Sequence, residues 1–182
     1  MNTRRLFFAL WPTAAMQGEL AAAVRVAMDS VRGGREVPRE NLHLTLAFLG
    51  SVPDPAIVTV RESALGACRS CDSGPPFLEL TLDAIDYWPR SQVLCATARQ
   101  ASAGAAELAE ALKQCLSAAG FSPDLKPFRA HVTLARQVTD RPSGREMSPV
   151  RWTFGEFALL ESRTGPSGSL YSVLDSWPLC RA

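Results

Sequence analysis

The chain has 182 residues, 47% of them hydrophobic, and a formal net charge of +1. This apolar share is enough for a buried core and excludes a largely disordered chain, and the length fits one domain or two small lobes. The balance of 19 basic against 18 acidic residues excludes the uncompensated basic surface that binding to duplex nucleic acid requires. With only two histidines in the chain, any chemistry that needs imidazole depends on His43 and His131.

Apolar runs and cysteines indicate the compartment. No apolar run reaches the roughly 18 residues of a membrane-spanning helix, and the first run stops at Pro12, which favours a strand over a signal peptide. Five cysteines at irregular spacing favour reduced thiols, and the Cys68-x-x-Cys71 pair lacks the further ligands of a zinc site. We therefore expect a cytoplasmic protein without membrane contact. Monomer, with no obligate protein partner, is the default expectation.

Hydrophobic periodicity and turn residues predict mixed strands and helices. Thr13 is a candidate helix cap, and Gly33-Gly34 ends the first predicted helix. The predicted strands are 4–11, 41–49, 77–87, 93–98, 127–138, 152–161 and 169–177, and the predicted helices are 13–32, 54–71 and 102–119. The order of elements after the break at 73–76 resembles a second round of the first half. The sequence thus predicts an α+β chain, residues 1–182 forming a single domain of two similar lobes.

Both histidines lie in the same tetrad, His43-Leu44-Thr45-Leu46 in one half and His131-Val132-Thr133-Leu134 in the other. Side chains alternate along a strand, so each histidine should share a face with its threonine. The aliphatic residues, and Phe48 with them, should point to the opposite face. If a pseudo-two-fold axis relates the halves, the two His–Thr pairs face each other across a cleft.

Paired imidazoles and hydroxyls suit acid–base chemistry at phosphorus. One histidine can take a proton from the nucleophile while the other gives a proton to the leaving oxygen, and the hydroxyls can bind the non-bridging oxygens. Such a site needs no metal. A zinc site would need further ligands that neither strand supplies, and a serine nucleophile lacks its G-x-S-x-G context. Histidines serving only as strand surface residues remain an alternative.

The paired tetrads resemble the two-histidine (2H) phosphoesterase superfamily. The flanking residues are similar to one group within it, the RNA 2′,3′-cyclic phosphodiesterases, which are also called LigT-like proteins or 2′-5′ RNA ligases. The resemblance extends over most of the chain and is carried by residues 5–10, 41–50, 127–136, 159–162 and 165–177. One departure is Ala130, where related sequences often have proline, a change that removes no functional group.

The resemblance implies two pseudo-symmetric α+β lobes with antiparallel sheets and flanking helices, and an active cleft between the lobes. It also implies hydrolysis of a terminal RNA or nucleoside 2′,3′-cyclic phosphate to a 2′-phosphate, without metal or cofactor. By position, His43 would be the proton donor to the departing 3′ oxygen and His131 the proton acceptor that activates water. Thr45 and Thr133 would bind the phosphate.

Three further residues are candidate substrate contacts. Arg136 matches a basic position of the family, although on an ideal strand it would face away from His131 and would need a bulge to reach the substrate. Phe48 and Tyr171 are candidates for holding a base by stacking, out of the six aromatic residues Phe48, Trp88, Phe128, Trp152, Tyr171 and Trp177. The partner would be an RNA end or nucleotide carrying a cyclic phosphate.

Other functions stay open from sequence alone. The same site could run in reverse and join RNA ends as a 2′-5′ RNA ligase. A noncatalytic RNA-end-binding module would need basic and aromatic surface but not two imidazoles. Other members of the superfamily act on cyclic phosphates of small nucleotides.

Overall fold

The computed structural model describes residues 2–29, 31, 33–70, 77–100, 102–142, 146–165 and 168–179. Among these residues nine strands form one antiparallel sheet, and three α-helices accompany it. The strands are β1 Thr3–Leu10, β2 Gly33–Glu36, β3 Leu44–Pro53, β4 Leu78–Trp88, β5 Val93–Thr97, β6 His131–Val138, β7 Glu146–Phe154, β8 Glu156–Gly165 and β9 Gly168–Pro178. The helices are α1 Ala14–Met28, α2 Ile57–Ser70 and α3 Ala103–Ala118.

Eight of the nine strands form two four-stranded halves that meet at the centre of the sheet, and β2 pairs with β6 beside them. The strand order is β7-β4-β5-β6-β3-β1-β8-β9, so β6 and β3 are the inner strands of the two halves. In the first half α1 lies in the chain between β1 and β3, and in the second α3 lies between β5 and β6. The prediction of an α+β fold with antiparallel strands and flanking helices is confirmed. The internal duplication of a single domain stays a prediction.

The inner strands of the two halves, β3 and β6, diverge directly after the point where they pair. Strands β3 and β6 pair only at Leu44 and Val132, after which β2 takes over the edge of β6, from Glu36 opposite Ala135 to Gly33 opposite Val138. Divergence of two strands that share one pair opens a cleft in the middle of the sheet. Each tetrad histidine lies at the start of one of these strands.

The main core lies between the sheet and the helices. Alternate residues of β1, namely Leu6, Phe8 and Leu10, are fully buried and belong to the same cluster as Leu20 of α1 and Leu112 of α3. A second, small cluster on the other side contains Phe7, Ala9, Ala158 and Leu160. Both faces of β1 are therefore buried from Leu6 to Leu10, one in each cluster.

Two local predictions need correction. The predicted strand 152–161 is two strands, because the chain bends at Gly155 between β7 and β8. The short strand β2 was not predicted, since its residues are all exposed and show no alternation. Gly34 has a φ of 94°, and a Cβ there would lie 2.8 Å from Val138, so a glycine at this position lets β2 approach β6.

Several boundaries also differ by a few residues. Helix α1 ends at Met28 instead of residue 32, whereas the predicted cap is confirmed, since Thr13 Oγ1 accepts a hydrogen bond from the Met16 amide at 3.4 Å. The tetrad strands begin later than predicted, at Leu44 and His131. The break at 73–76 lies outside the described residues.

Two β-bulges change which side chains reach the cleft. Across β1 and β3 the pairing jumps from Ala47 to Thr45, and both Leu46 and Ala47 are buried. Across β5 and β6 the pairing jumps from Ala135 to Thr133, and both Leu134 and Ala135 are buried. One extra buried residue reverses the alternation that follows it. The residue after each bulge, Phe48 or Arg136, therefore returns to the histidine face.

Within the described residues, no helix is long and apolar enough to cross a membrane. Cys95 and Cys115 are free thiols, as predicted. Cys71 and Cys180 lie outside the described residues, and with Cys71 so does the Cys-x-x-Cys pair.

Candidate active site

The two tetrads line one cavity at the centre of the sheet. A cavity of about 250 Å³ is bounded by His43, Thr45, His131 and Thr133, together with Arg136 and Trp88. The strand alternation that buries Leu44 and Val132 completely brings both His–Thr pairs to this cavity. The structure thus brings together the four residues that the sequence placed on facing strands.

Both imidazoles are held in the same tautomer. Nδ1 of His43 lies 2.7 Å from the carbonyl oxygen of Asn41, and Nδ1 of His131 lies 2.7 Å from that of Arg129. A carbonyl oxygen only accepts, so each Nδ1 must carry a proton. In the neutral ring Nε2 is then an unprotonated nitrogen, the form in which it can accept a proton.

His43 lies among aromatic rings. Its ring centroid is 5.0 Å from that of Phe7, 5.0 Å from that of Tyr171 and 5.9 Å from that of Trp11. Burial among these rings lowers the pKa of His43 to about 4, against the hydrogen bond to Asn41, which raises it. The nearby guanidinium of Arg136 lowers it further. The ring is therefore neutral in the free protein at pH 7.

His131 has a different set of neighbours. Its ring centroid lies 4.6 Å from that of Trp88, and the guanidinium of Arg129 lies 5.7 Å from the same tryptophan ring and pairs with Asp86. Burial lowers the pKa of His131, and the charges of Arg129 and Arg136 lower it as well. Its low pKa keeps this imidazole free to accept a proton.

Arg136 lies beside residues of both halves of the cleft. It follows the bulge in β6 and lines the central cavity together with both histidines. The expectation that it needs a bulge to reach the site is confirmed. Its charge favours an anion between the two imidazoles.

Cys95 lies beneath Thr133 but does not add a nucleophile. The two residues pair across β5 and β6, and the thiol hydrogen-bonds to the threonine side chain. Burial raises the pKa of this thiol to about 12, so it stays protonated.

Phe48 and Tyr171 both reach the cleft. The prediction that Phe48 shares the buried face of Leu44 is wrong, because the bulge at Leu46 and Ala47 turns it toward the histidine side. Tyr171 lies edge-on against His43. Of the other aromatic candidates, Trp88 is beside His131 and Phe128 lines a neighbouring groove, whereas Trp152 and Trp177 are in the core.

Sequence reasoning missed several residues around the histidines. Trp11 and Phe7 enclose His43, but both belong to an apolar run that is typical of a core strand. Asn41 provides the carbonyl that orients His43, and its side chain donates a hydrogen bond to the Ser169 carbonyl oxygen at 2.7 Å. The signal for Asn41 was its place two residues before the histidine, which Arg129 matches in the other half.

No group of three or more His, Cys, Asp or Glu side chains that could hold a metal ion occurs among the residues described. The roles predicted for His43, His131, Thr45, Thr133, Arg136, Phe48 and Tyr171 stay predictions, although all of these residues border the cleft.

Comparison with known proteins agrees with this geometry. The 2′-5′ RNA ligase superfamily model matches residues 14–166. The RNA 2′,3′-cyclic phosphodiesterase of Escherichia coli is 33% identical, with 97% of each chain covered. That of Thermus thermophilus is 32% identical, with 96% of this chain and 90% of the relative covered. The crystal structure of E. coli LigT complexed with 3′-AMP superimposes with a TM-score of 0.82 at 29% identity, covering 97% of this chain and 98% of that one. The chain belongs to the 2′-5′ RNA ligase superfamily.

Proposed function

We propose that the protein is an RNA 2′,3′-cyclic phosphodiesterase that opens a terminal cyclic phosphate to a 2′-phosphate. The observation that supports this most directly is the pair of equivalent imidazoles at one cavity, each with Nδ1 bonded to a backbone carbonyl and Nε2 left for substrate. The relatives named RNA 2′,3′-cyclic phosphodiesterase, which align with nearly the whole chain, support the same activity.

The reaction is an in-line displacement at phosphorus. Water attacks the phosphorus opposite the 3′ oxygen, and His131 Nε2 takes a proton from that water. The bond from phosphorus to the 3′ oxygen breaks while His43 Nε2 gives a proton to this oxygen. The product is a 2′-phosphate with a free 3′-hydroxyl, and both histidines return to their starting states by proton exchange with solvent.

The other residues of the cavity hold the phosphate. Thr45 and Thr133 donate hydrogen bonds from their hydroxyls to the two non-bridging oxygens. Arg136 places a positive charge at the same cavity. Donors arranged in advance around the developing negative charge stabilise the transition state.

Substrate binding raises the pKa of His43, which then takes up from solvent the proton that it later donates. In the free protein the pKa of His43 is about 4, because the ring is buried. A cyclic phosphate carries one negative charge, and a nearby anion favours the charged form of an imidazole. The anion thus raises the pKa of His43 when it enters, so the acid is charged mainly in the enzyme–substrate complex.

The test is a hydrolysis assay on adenosine 2′,3′-cyclic phosphate, with products identified by ³¹P NMR. We expect 2′-AMP alone, at the same rate with and without EDTA. A 3′-AMP product would contradict the leaving-group assignment of His43, and a loss of rate in EDTA would contradict chemistry without a metal. A His131→Ala preparation purified in the same way controls for contaminating nucleases.

A further inference from the structure

The His43 side of the cleft opens into two cavities. One, of about 220 Å³, we call the Pro38 cavity, because Pro38 and Val37 line it. The other, of about 390 Å³, we call the Arg5 cavity, because Arg5 lies on its wall. Both include His43 and Tyr171 and neither includes His131, so both lie on the leaving-group side of the proposed reaction.

The linings of the two cavities differ in charge. The Arg5 cavity is lined by arginine and hydroxyl groups, including Ser162 and Thr164, and the described residues on its wall include no carboxylate. The Pro38 cavity is lined by the apolar Val37 and Pro38, and there the carboxylate of Glu36 lies with the guanidinium groups of Arg35 and Arg136. Both cavities contain two arginines, but only the Pro38 cavity has a carboxylate to offset them, so the Arg5 cavity favours an anion more strongly.

Arg5 has a fixed place and an uncompensated charge. Its guanidinium lies 5.0 Å from the centre of the Phe48 ring, and its backbone pairs with Ser162 across β1 and β8. The adjacent Arg4 takes the nearby carboxylates, Asp54 at 2.8 Å and Glu161 at 3.7 Å. Arg5 itself has no carboxylate partner within the described part of the chain. A cation held on an aromatic ring without a counter-ion is prepared to bind an anion.

The direction of the substrate follows from the proposed function, on which this inference rests. The cyclic phosphate lies between the two histidines, and the ribose departs toward His43. The 5′ side of that ribose, which continues into the rest of an RNA, must therefore leave through the His43 side.

We propose that Arg5 binds the phosphodiester that joins the terminal nucleotide to the rest of the RNA. The enzyme then selects oligonucleotide ends over free nucleoside 2′,3′-cyclic phosphates. Arg5 is a specificity-determining residue that acts one phosphate away from the bond that breaks.

The test compares a diadenosine dinucleotide ending in a 2′,3′-cyclic phosphate with adenosine 2′,3′-cyclic phosphate. We expect the wild-type kcat/KM to be about tenfold higher for the dinucleotide at low salt, a typical value for one exposed arginine–phosphate contact. In Arg5→Gln this ratio of kcat/KM values should fall to near one, and in Arg5→Lys it should lie between. The wild-type ratio should also fall as ionic strength rises.

Arg151→Gln is the matched control. Arg151 is an exposed arginine on the edge strand β7, far across the sheet order from β1, and its loss removes the same charge. We expect both substrates to be hydrolysed by this variant as by the wild type. Equal wild-type kcat/KM values for both substrates would overturn the assignment of Arg5, as would a similar loss for both in Arg5→Gln. Neither result would affect the proposed function, whereas hydrolysis of neither substrate by wild type would remove both proposals.

Discussion

The two halves of the cleft share a five-residue pattern and differ in what surrounds it. Each half reads His-x-Thr-Leu-Ala, and each has its bulge at the Leu-Ala step. The next residue is Phe48 in the first half and Arg136 in the second. His43 is enclosed by three aromatic rings, whereas His131 contacts one, and the Arg129 charge lies near it.

This difference shows which features belong to the shared scaffold. Backbone carbonyls two residues upstream give both histidines the same tautomer, so the scaffold alone prepares two proton acceptors. The side chains around each ring then give the two imidazoles different properties. The aromatic enclosure of His43 lowers its pKa to about 4, so this ring responds most to an anion that enters the cleft.

The largest expected effect on kcat/KM comes from replacing either histidine. His43→Ala and His131→Ala should each lower kcat/KM for a nucleoside 2′,3′-cyclic phosphate by about 10² to 10⁴. A substrate with sulfur in place of the 3′ oxygen separates their roles, because a thiolate leaves without a proton. On this substrate the ratio of the His43→Ala kcat/KM to the wild-type kcat/KM should rise at least about tenfold, whereas the same ratio for His131→Ala should not rise. Equal recovery in both variants would contradict the assignment of acid and base.

A smaller effect is expected from the two residues after the bulges. Arg136→Gln should lower kcat/KM by roughly 10² to 10³, because Arg136 places its charge at the cavity that holds the phosphate. Phe48→Leu keeps an apolar side chain and should cost less than about tenfold. Steady-state kinetics of both variants, with circular dichroism as a control for folding, provide the measurement. If Phe48→Leu lowered kcat/KM more than Arg136→Gln does, the proposed difference between the two halves would be contradicted.

The smallest expected effect is a difference between the pH at which kcat/KM falls and the pH at which kcat falls. Catalysis needs His43 charged and His131 neutral, but burial lowers the pKa of both, so at pH 7 the free protein has both rings neutral. The small fraction of the protein in which His43 is charged is then the reactive form, so kcat/KM should fall as the pH rises from 7, by up to about tenfold per pH unit. Bound phosphate raises the pKa of His43, so the corresponding fall in kcat should occur at higher pH. Measuring kcat and KM between pH 4 and 9 tests this. Coincident profiles would show that the anion does not charge His43.

The sequence predicted that the two histidines and two threonines come together, because the signal for their placement is local. The paired tetrads lie at the starts of two central strands, and simple alternation predicted that each histidine shares a face with its threonine. The cap at Thr13 and the helix that follows it were predicted for the same reason, since capping depends on residues a few positions apart.

The parts that were missed depend on partners distant in sequence. A bulge at Leu46 and Ala47 exists only relative to the pairing with β1, so sequence alternation alone placed Phe48 on the wrong face. Strand β2 forms because β6 offers an open edge where β3 departs, and four exposed residues do not predict that. The role of Arg5 depends on Phe48, which lies 43 positions later in the chain.

The single pair between Leu44 and Val132 has a mechanical consequence for proton transfer. Hydrogen-bonded ladders are continuous within each half of the sheet, but among the described residues a single pair joins β3 to β6 at the centre, and β2 pairs with β6 alone. We expect a small rotation of one half against the other to change the separation of the two imidazoles at little cost in backbone hydrogen bonds. Helix α1 follows β1 of the first half in the chain but packs on β6 and β7 of the second half. Helix α3 follows β5 of the second half but packs on β3 of the first half. Helix packing across the two halves therefore contributes to the separation of the two imidazoles.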